Sequence, residues 1–130
     1  PHQAMVIGRV KKAADVKAGF HCCGAIADLI DDLAEIAVDA INPVQVAAKG
    51  MEPERLKRDF GDKMAFWGGV DTQRVMPQGS EDEVRQETRH IIDTLGTGGG
   101  LVLTAVHNIQ PDVPPANVLA MYDEARRYGG

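Results

Sequence analysis

The stretch from Phe20 to Ala37, FHCCGAIADLIDDLAEIA, joins an apolar segment to an amphipathic one through a glycine. It begins inside the run Val16 to His21, which we interpret as a short buried strand. After Gly24, apolar side chains recur at helical spacing and acidic side chains take the opposite side. The stretch therefore predicts a strand followed by a helix, the repeating unit of α/β proteins.

The same unit recurs along the chain. The predicted strands are 16–21, 38–42, 63–70 and 98–107, and the predicted helices are 4–13, 25–37, 53–61, 80–95 and 114–128. Pro43 should stop the second strand, because proline cannot donate to a sheet ladder. Ser80 and Glu83 form a capping-box pattern at the start of the fourth of these helices. Strands that alternate with helices predict a parallel sheet with crossover helices.

Two architectures contain such a series of elements. One is a small, open, doubly wound sheet, and the other is half of an eight-stranded α/β barrel, which typically needs about 250 residues. Both place their functional sites at the carboxyl ends of the strands. A chain of 130 residues, 44% of them apolar, predicts one modest domain over 1–130.

Composition excludes several classes of partner. The net charge is −5, and the basic residues are spread between acidic ones, so nucleic-acid binding is not expected. No apolar run is long enough to span a bilayer, and the first residues lack a signal-peptide layout. Cys22 and Cys23 are the only cysteines, and we interpret them as free thiols of a cytoplasmic protein.

The residues that close the first strand are candidates for a metal site. Strand alternation places His21 and Cys23 on one side and Cys22 on the other, where it should pack in the core. A helix beginning near Ala25 would direct its positive end at this pair and favour a thiolate. The alternative is a small buried thiol pair with a histidine bonded to backbone.

A third donor is available from the last predicted strand. If that strand continues through residue 107, Leu101, Leu103, Ala105 and His107 share one face, and His107 lies at the carboxyl end. Catalytic zinc usually takes three protein ligands and leaves one position open. We therefore expect His21, Cys23 and His107 to meet around one zinc ion.

Other polar side chains follow the same strand ends. Asn42 and Gln45 could hydrogen-bond a ligand, as could Asp71 and Gln73 after the third strand and Asn108 beside His107. We predict that these five bind substrate. An ordinary strand-to-helix turn is the alternative explanation for Asp71 and Gln73.

Taken together, two stretches of the chain resemble the carboxyl-terminal half of the uroporphyrinogen decarboxylase superfamily. They are FHCCGAIADLIDDLAEIAVDAINPVQVAAKGMEPERLKRDFGDKMAFWGGVDTQ and GGGLVLTAVHNIQPDVPPANVLAMYDEARRYG. That superfamily also holds cobalamin-dependent methyltransferases and O-demethylase components. The resemblance implies a (β/α)8 TIM-type barrel, of which this chain would be about the last four β/α units. The open doubly wound sheet becomes the second expectation.

The methyltransferase branch is similar to this chain at H-x-C-G, here His21, Cys23 and Gly24. In that branch the pair binds zinc together with a cysteine of the last strand, where this chain has His107. This implies a zinc-dependent methyl-transfer or O-demethylation component that acts on a small methylated compound. The chain has no D-x-H-x-x-G motif, so any cobalamin would arrive on a partner corrinoid protein.

The resemblance also implies two alternatives. In the decarboxylases a histidine after the last strand lies near the acidic tetrapyrrole substrate, and His107 matches it as the catalytic residue with no cofactor. The third expectation is an inactive half-barrel fragment that self-associates. Half a barrel leaves two unpaired edges, so a homo-oligomer is expected in any case.

Overall fold

The computed structural model describes residues 2–129, in which strands and helices alternate as the sequence predicts. The strands are β1 (Gly19–His21), β2 (Ala40–Val44), β3 (Ala65–Val70) and β4 (Leu101–Ala105). The helices are α1 (His2–Ala13), α2 (Ile30–Glu35), α3 (Pro53–Phe60), α4 (Val75–Gln78), α5 (Glu81–Leu95) and α6 (Pro115–Tyr128).

The four strands form one sheet in the order β1-β2-β3-β4, and every pair is parallel. A doubly wound sheet reverses its strand order at a switch point, whereas a barrel adds strands in chain order. The sequential order is therefore that of an α/β barrel, of which the chain forms four β/α units. Among residues 2–129, β1 and β4 are edge strands without a second neighbour.

The two faces of the sheet differ in burial. One face packs under the helices, and there Ile41 and Phe66 are fully buried while Leu103 touches both hydrophobic clusters of the core. On the other face, Trp67 and Val102 lie opposite each other in register and are 43% and 48% exposed. The helices thus cover one side only, and we call the second side the open face.

Three strands are shorter than predicted, and one is displaced. β1, β3 and β4 begin later than expected, and β4 ends at Ala105 rather than at His107. β2 runs past Pro43, which was predicted to stop it. The register of β2 against β3 shifts between Ile41 and Val44, so the ladder requires no N–H at position 43.

The segment after Gly24 is less helical than its apolar spacing predicts. A 3₁₀ turn covers Ala27–Leu29, and α2 covers only Ile30–Glu35. The helix ends there because Ala37 adopts a left-handed conformation with φ of 66°. The short helix α4 was not predicted; its four residues are too few to show a periodic pattern.

The longer helices follow their sequence signals. Ser80 and Glu83 form the predicted reciprocal capping box of α5, and Pro53 opens α3. Polar contacts join α6 to its surroundings: Asn117 Nδ2 donates to the backbone oxygens of Met76 and Gly79 at 2.9 and 2.8 Å. In the described residues, no helix is long and apolar enough to cross a membrane.

A carboxylate between α5 and α6 is also firmly paired. Glu124 is 5% exposed and accepts a hydrogen bond from Arg89 Nε at 2.5 Å, with Arg85 Nη1 3.5 Å away. The hydrogen bond from Arg89 is the main reason that the pKa of Glu124 lies below its usual value. These helices are therefore joined by an ion cluster as well as by apolar packing.

Candidate functional site

The polar side chains that follow the strands gather at one end of the sheet, which we call the rim. Two cavities lie there, of about 490 and 160 Å³, and Val106 and His107 line both. Each of the eight residues that the sequence proposes as a site lines at least one of them. The larger cavity has His21, Asn42, His107 and Asn108, and the smaller has Cys23, Gln45, Asp71, Gln73 and His107.

The side chains of His21 and Cys23 lie close together, as expected, although β1 ends at His21. Both side chains are exposed, and His21 Nε2 lies 3.6 Å from Cys23 Sγ. Cys22 is half-buried and packs against the larger hydrophobic cluster, as expected. Cys23 is therefore the thiol that is available to the rim.

Asn42 holds the imidazole of His21 in place. The two residues are register partners in β1 and β2, and Asn42 Oδ1 lies 2.7 Å from His21 Nδ1. The amide nitrogen of Asn42 donates to the backbone oxygen of Trp67 at 3.5 Å. One side chain thus connects β1 to β3.

Gln45 supports the neighbouring turn. Its side-chain oxygen accepts the backbone N–H of Gly24 at 2.8 Å. Gly24 has φ of 94°, a conformation that residues with a Cβ rarely adopt. The prediction that Asn42 and Gln45 bind substrate stays a prediction, and the structure adds that each already supports the H-C-C-G segment.

Asp71 serves the turn after β3. It is 7% exposed, and its Oδ1 accepts the backbone N–H of Gln73 at 2.8 Å. This is the geometry of an Asx turn, in which a carboxylate replaces a backbone acceptor. The ordinary turn that the sequence left open is therefore present, with Asp71 also lining the smaller cavity.

The predicted set of three zinc ligands is not assembled. Among residues 2–129, no three His, Cys, Asp or Glu side chains are grouped closely enough to hold a metal ion. His107 lies beyond the end of β4 at Ala105 and lines one cavity with His21 and the other with Cys23, so its role as the third ligand stays a prediction. Leu101 and Leu103 pack on the helix-covered face, so continued alternation would have placed His107 away from His21.

The predicted helix end beside the thiol is also absent. No α-helix begins near Ala25, and the nearest one, α2, starts at Ile30 and has six residues. The chain at Ile26 has φ of −108° and ψ of 8°, which is not helical. A helix dipole therefore does not account for any reactivity of Cys23.

Two of the predicted donors nevertheless fit zinc by themselves. Zinc–nitrogen bonds of about 2.0–2.1 Å and zinc–sulfur bonds of about 2.3 Å, at a tetrahedral angle, place the two donor atoms about 3.6 Å apart. This is the separation of His21 Nε2 and Cys23 Sγ, 3.6 Å. The pair can therefore supply two of the three ligands of an open zinc site.

Two residues with polar side chains in the larger cavity, Thr104 and Tyr122, were not predicted from the sequence. Thr104 could have been found, because β4 places it on the open face together with Val102. Tyr122 lies on α6 and is 51% exposed, and its sequence context gives no signal for a site.

Another cavity, of about 480 Å³, lies on the outer flank of α4 and α5. Its lining includes Arg74, Glu87 and His90, and burial raises the pKa of Glu87. It contains no residue of the rim. Because α/β barrels bind their ligands at the carboxyl ends of the strands, we place the functional site at the rim.

Four parallel β/α units in chain order define the class of protein, part of an α/β barrel, with the candidate site at the mouth of the barrel. The comparison with family models then gives the family. The model for "Uroporphyrinogen decarboxylase (URO-D)" matches residues 1–128, and the chain belongs to this family.

Curated relatives named uroporphyrinogen decarboxylase match parts of the chain. The protein of Pseudoalteromonas translucida is 43% identical over 61 residues, which are 47% of this chain and 17% of the relative. The protein of Paraburkholderia phytofirmans is 29% identical over 99 residues, which are 76% of this chain and 25% of the relative. The chain thus spans a quarter or less of the length of these two relatives.

A solved structure supports the same fold. A methyltransferase from Methanosarcina mazei superposes on 98% of this chain with a TM-score of 0.75 and 17% identity, and the match covers 36% of that protein. At this identity the likeness concerns the fold. It agrees with four β/α units taken from a larger barrel.

Proposed function

We propose that this chain forms part of the mouth of a decarboxylase-type enzyme that removes a carboxylate from an acidic tetrapyrrole. The observation that carries the proposal is the match to the URO-D family over residues 1–128, with relatives that are themselves named uroporphyrinogen decarboxylase. His107 is exposed on the larger cavity of the rim, where a substrate can reach its ring.

The chemistry requires a proton at the reacting carbon. Loss of carbon dioxide breaks a carbon–carbon bond and leaves the electron pair on the former substrate carbon, which must then be protonated. His107 is our choice for this group because a histidine can give and take a proton near neutral pH. Asn108 and Thr104 line the same cavity and offer hydrogen bonds that orient the ring system.

The charged side chains at the rim do not match those that a substrate with several carboxylates requires. The described residues lining its two cavities include Asp71 but no lysine or arginine. A substrate with several carboxylates needs cationic partners, because unpaired charges are costly to desolvate. We therefore propose that the cationic contacts come from barrel units beyond these four.

A second candidate function is zinc-assisted methyl transfer, favoured by the separation of His21 Nε2 and Cys23 Sγ. Bound zinc would act there as a Lewis acid that lowers the pKa of a thiol or polarises a methoxyl oxygen. In this proposal His21 and Cys23 hold the ion, a third ligand comes from outside the pair, and a corrinoid protein is the partner.

Binding of uroporphyrin, followed by its fluorescence, tests the first candidate on the purified chain. Because the cationic contacts are proposed to lie outside these four units, we expect the chain alone to bind weakly but saturably without added metal, and at least tenfold more weakly after His107→Ala. His90→Ala, a histidine exposed on α5 and outside the rim, is the matched control and should bind as the unaltered chain does. Equal binding by both variants, or none by the unaltered chain, would contradict the proposal.

Elemental analysis tests the second candidate. Stoichiometric zinc that disappears in Cys23→Ala and persists in Cys22→Ala would support it, since only Cys23 lies beside His21. Zinc retained in Cys23→Ala would exclude this pair as the site.

We also propose that the chain self-associates through its edge strands, β1 and β4. A strand edge with unpaired backbone groups favours pairing with another chain. Light scattering should give at least a dimer mass, whereas a monomer at high protein concentration would count against this proposal.

A further inference from the structure

We propose that Asn42 is a positioning residue that fixes the neutral tautomer of His21. The proton then lies on Nδ1, and the lone pair of Nε2 faces Cys23 and an incoming divalent cation of the zinc type. The use of that lone pair rests on the second candidate function. The tautomer itself does not.

The neighbours of the Asn42 amide fix its orientation. Its two ends differ, because the oxygen only accepts hydrogen bonds and the nitrogen only donates. One end lies 3.5 Å from the backbone oxygen of Trp67, which is itself an acceptor. The nitrogen must take this end, since the reverse orientation would oppose two acceptors.

This orientation of the amide fixes the tautomer of His21. With the amide nitrogen directed to Trp67, the amide oxygen faces His21 Nδ1 at 2.7 Å. An acceptor at that distance requires a donor opposite it, so Nδ1 carries the proton. In the neutral ring the other nitrogen, Nε2, is then an acceptor, 3.6 Å from Cys23 Sγ.

The position of Asn42 in the sheet suits it to this role. His21 and Asn42 are register partners in adjacent strands, so backbone pairing fixes the distance between their side chains. The backbone oxygen of Asn42 also accepts the N–H of Cys22 at 2.8 Å, which extends the pairing beyond the end of β1. A single residue of β2 therefore positions both His21 and the chain that leads to Cys23.

Nitrogen-15 NMR of the two ring nitrogens tests the tautomer without any metal. In the unaltered chain we expect a protonated Nδ1 and an unprotonated Nε2 for neutral His21. Asn42→Leu, which removes both ends of the amide, should give a mixture of the two tautomers. Asn42→Asp, which keeps an acceptor oxygen, should retain the proton on Nδ1.

Zinc affinity, measured by competition with a chelator, tests the consequence. Loss of a group that orients a histidine ligand typically weakens metal binding about 10–100-fold. We expect a loss of this size for Asn42→Leu and a smaller one for Asn42→Asp. The exposed Gln86 of α5 provides a matched control, and Gln86→Leu should leave the affinity unchanged.

The outcomes separate this inference from the candidate function. An unchanged tautomer in a folded Asn42→Leu variant would overturn the inference, whatever the zinc affinity. So would zinc binding that this variant leaves unweakened. A tautomer that depends on Asn42 in a chain that binds no zinc would support the positioning role and remove the second candidate function.

Discussion

Phe66 and Trp67 are neighbours in β3, yet their side chains lie in opposite environments. Phe66 is fully buried under the helices, whereas Trp67 is 43% exposed on the open face. The helix-covered face contains a closed core with paired polar groups, and the open face leads to the rim with its histidines, thiol and amides. The buried core thus lies on one side of the sheet, and the polar side chains of the candidate site lie at the end of the other.

The largest expected change in stability comes from truncation of these two aromatic side chains, which compares the two faces directly. Phe66→Ala should lower the free energy of unfolding by about 3–5 kcal/mol, because it removes buried contacts and leaves a cavity. Trp67→Ala is the matched variant and should cost less than about 1 kcal/mol in the monomeric chain. Urea unfolding measures both. Similar losses would show that the open face is as closed as the other.

A smaller loss of unfolding free energy is expected where a buried polar side chain on the helix-covered side is removed. Asn117 is 3% exposed and donates to Met76 and Gly79, so Asn117→Ala leaves one buried and one partly buried carbonyl oxygen without this donor. We expect a loss of about 2 kcal/mol in unfolding free energy. A change within the error of urea unfolding would mean that water replaces the amide at no cost.

The ion cluster between α5 and α6 should make stability depend on pH. The pKa of Glu124 is lowered in the folded chain, so its contribution is present above the ordinary glutamate pKa. It is lost as the pH falls through the lowered value. Glu124→Gln should therefore be less stable than the unaltered chain at neutral pH, with the difference shrinking in acid. Thermal unfolding across pH measures this, and a constant difference would contradict it.

The smallest effect on stability is expected at the rim. Asn108 is exposed in the loop after β4, so Asn108→Ala should change the unfolding free energy by less than about 0.5 kcal/mol. The same change at Asn117 provides the comparison. A loss equal to that of Asn117→Ala would show that the rim loop is part of the folding core.

Local sequence signals predicted much of this fold. Pro53 and the pair Ser80 and Glu83 marked helix starts that the structure confirms, because capping depends on residues within one turn. Alternating strands and helices predicted the parallel sheet. The bounds of β2 were wrong, since tolerance of Pro43 depends on its register against β3.

The sequence predicted where the candidate site lies better than it predicted the contacts between its residues. Strand ends located all eight proposed residues at the rim, because the carboxyl ends of parallel strands meet at one edge. The contacts of Asn42 with His21 and of Gln45 with Gly24 join residues 21 positions apart, so no local pattern reveals them. Their roles toward substrate stay predictions.

By itself, the sequence determined the order of the elements, the parallel pairing and the family, since these depend on short-range periodicity and on motifs in the chain. The tertiary structure alone decided that His107 shares one cavity with His21 and another with Cys23, and that Asn42 holds the imidazole. The physical reason is that side-chain alternation ends with the strand. Beyond Ala105 the direction of each side chain is set by contacts with distant parts of the chain.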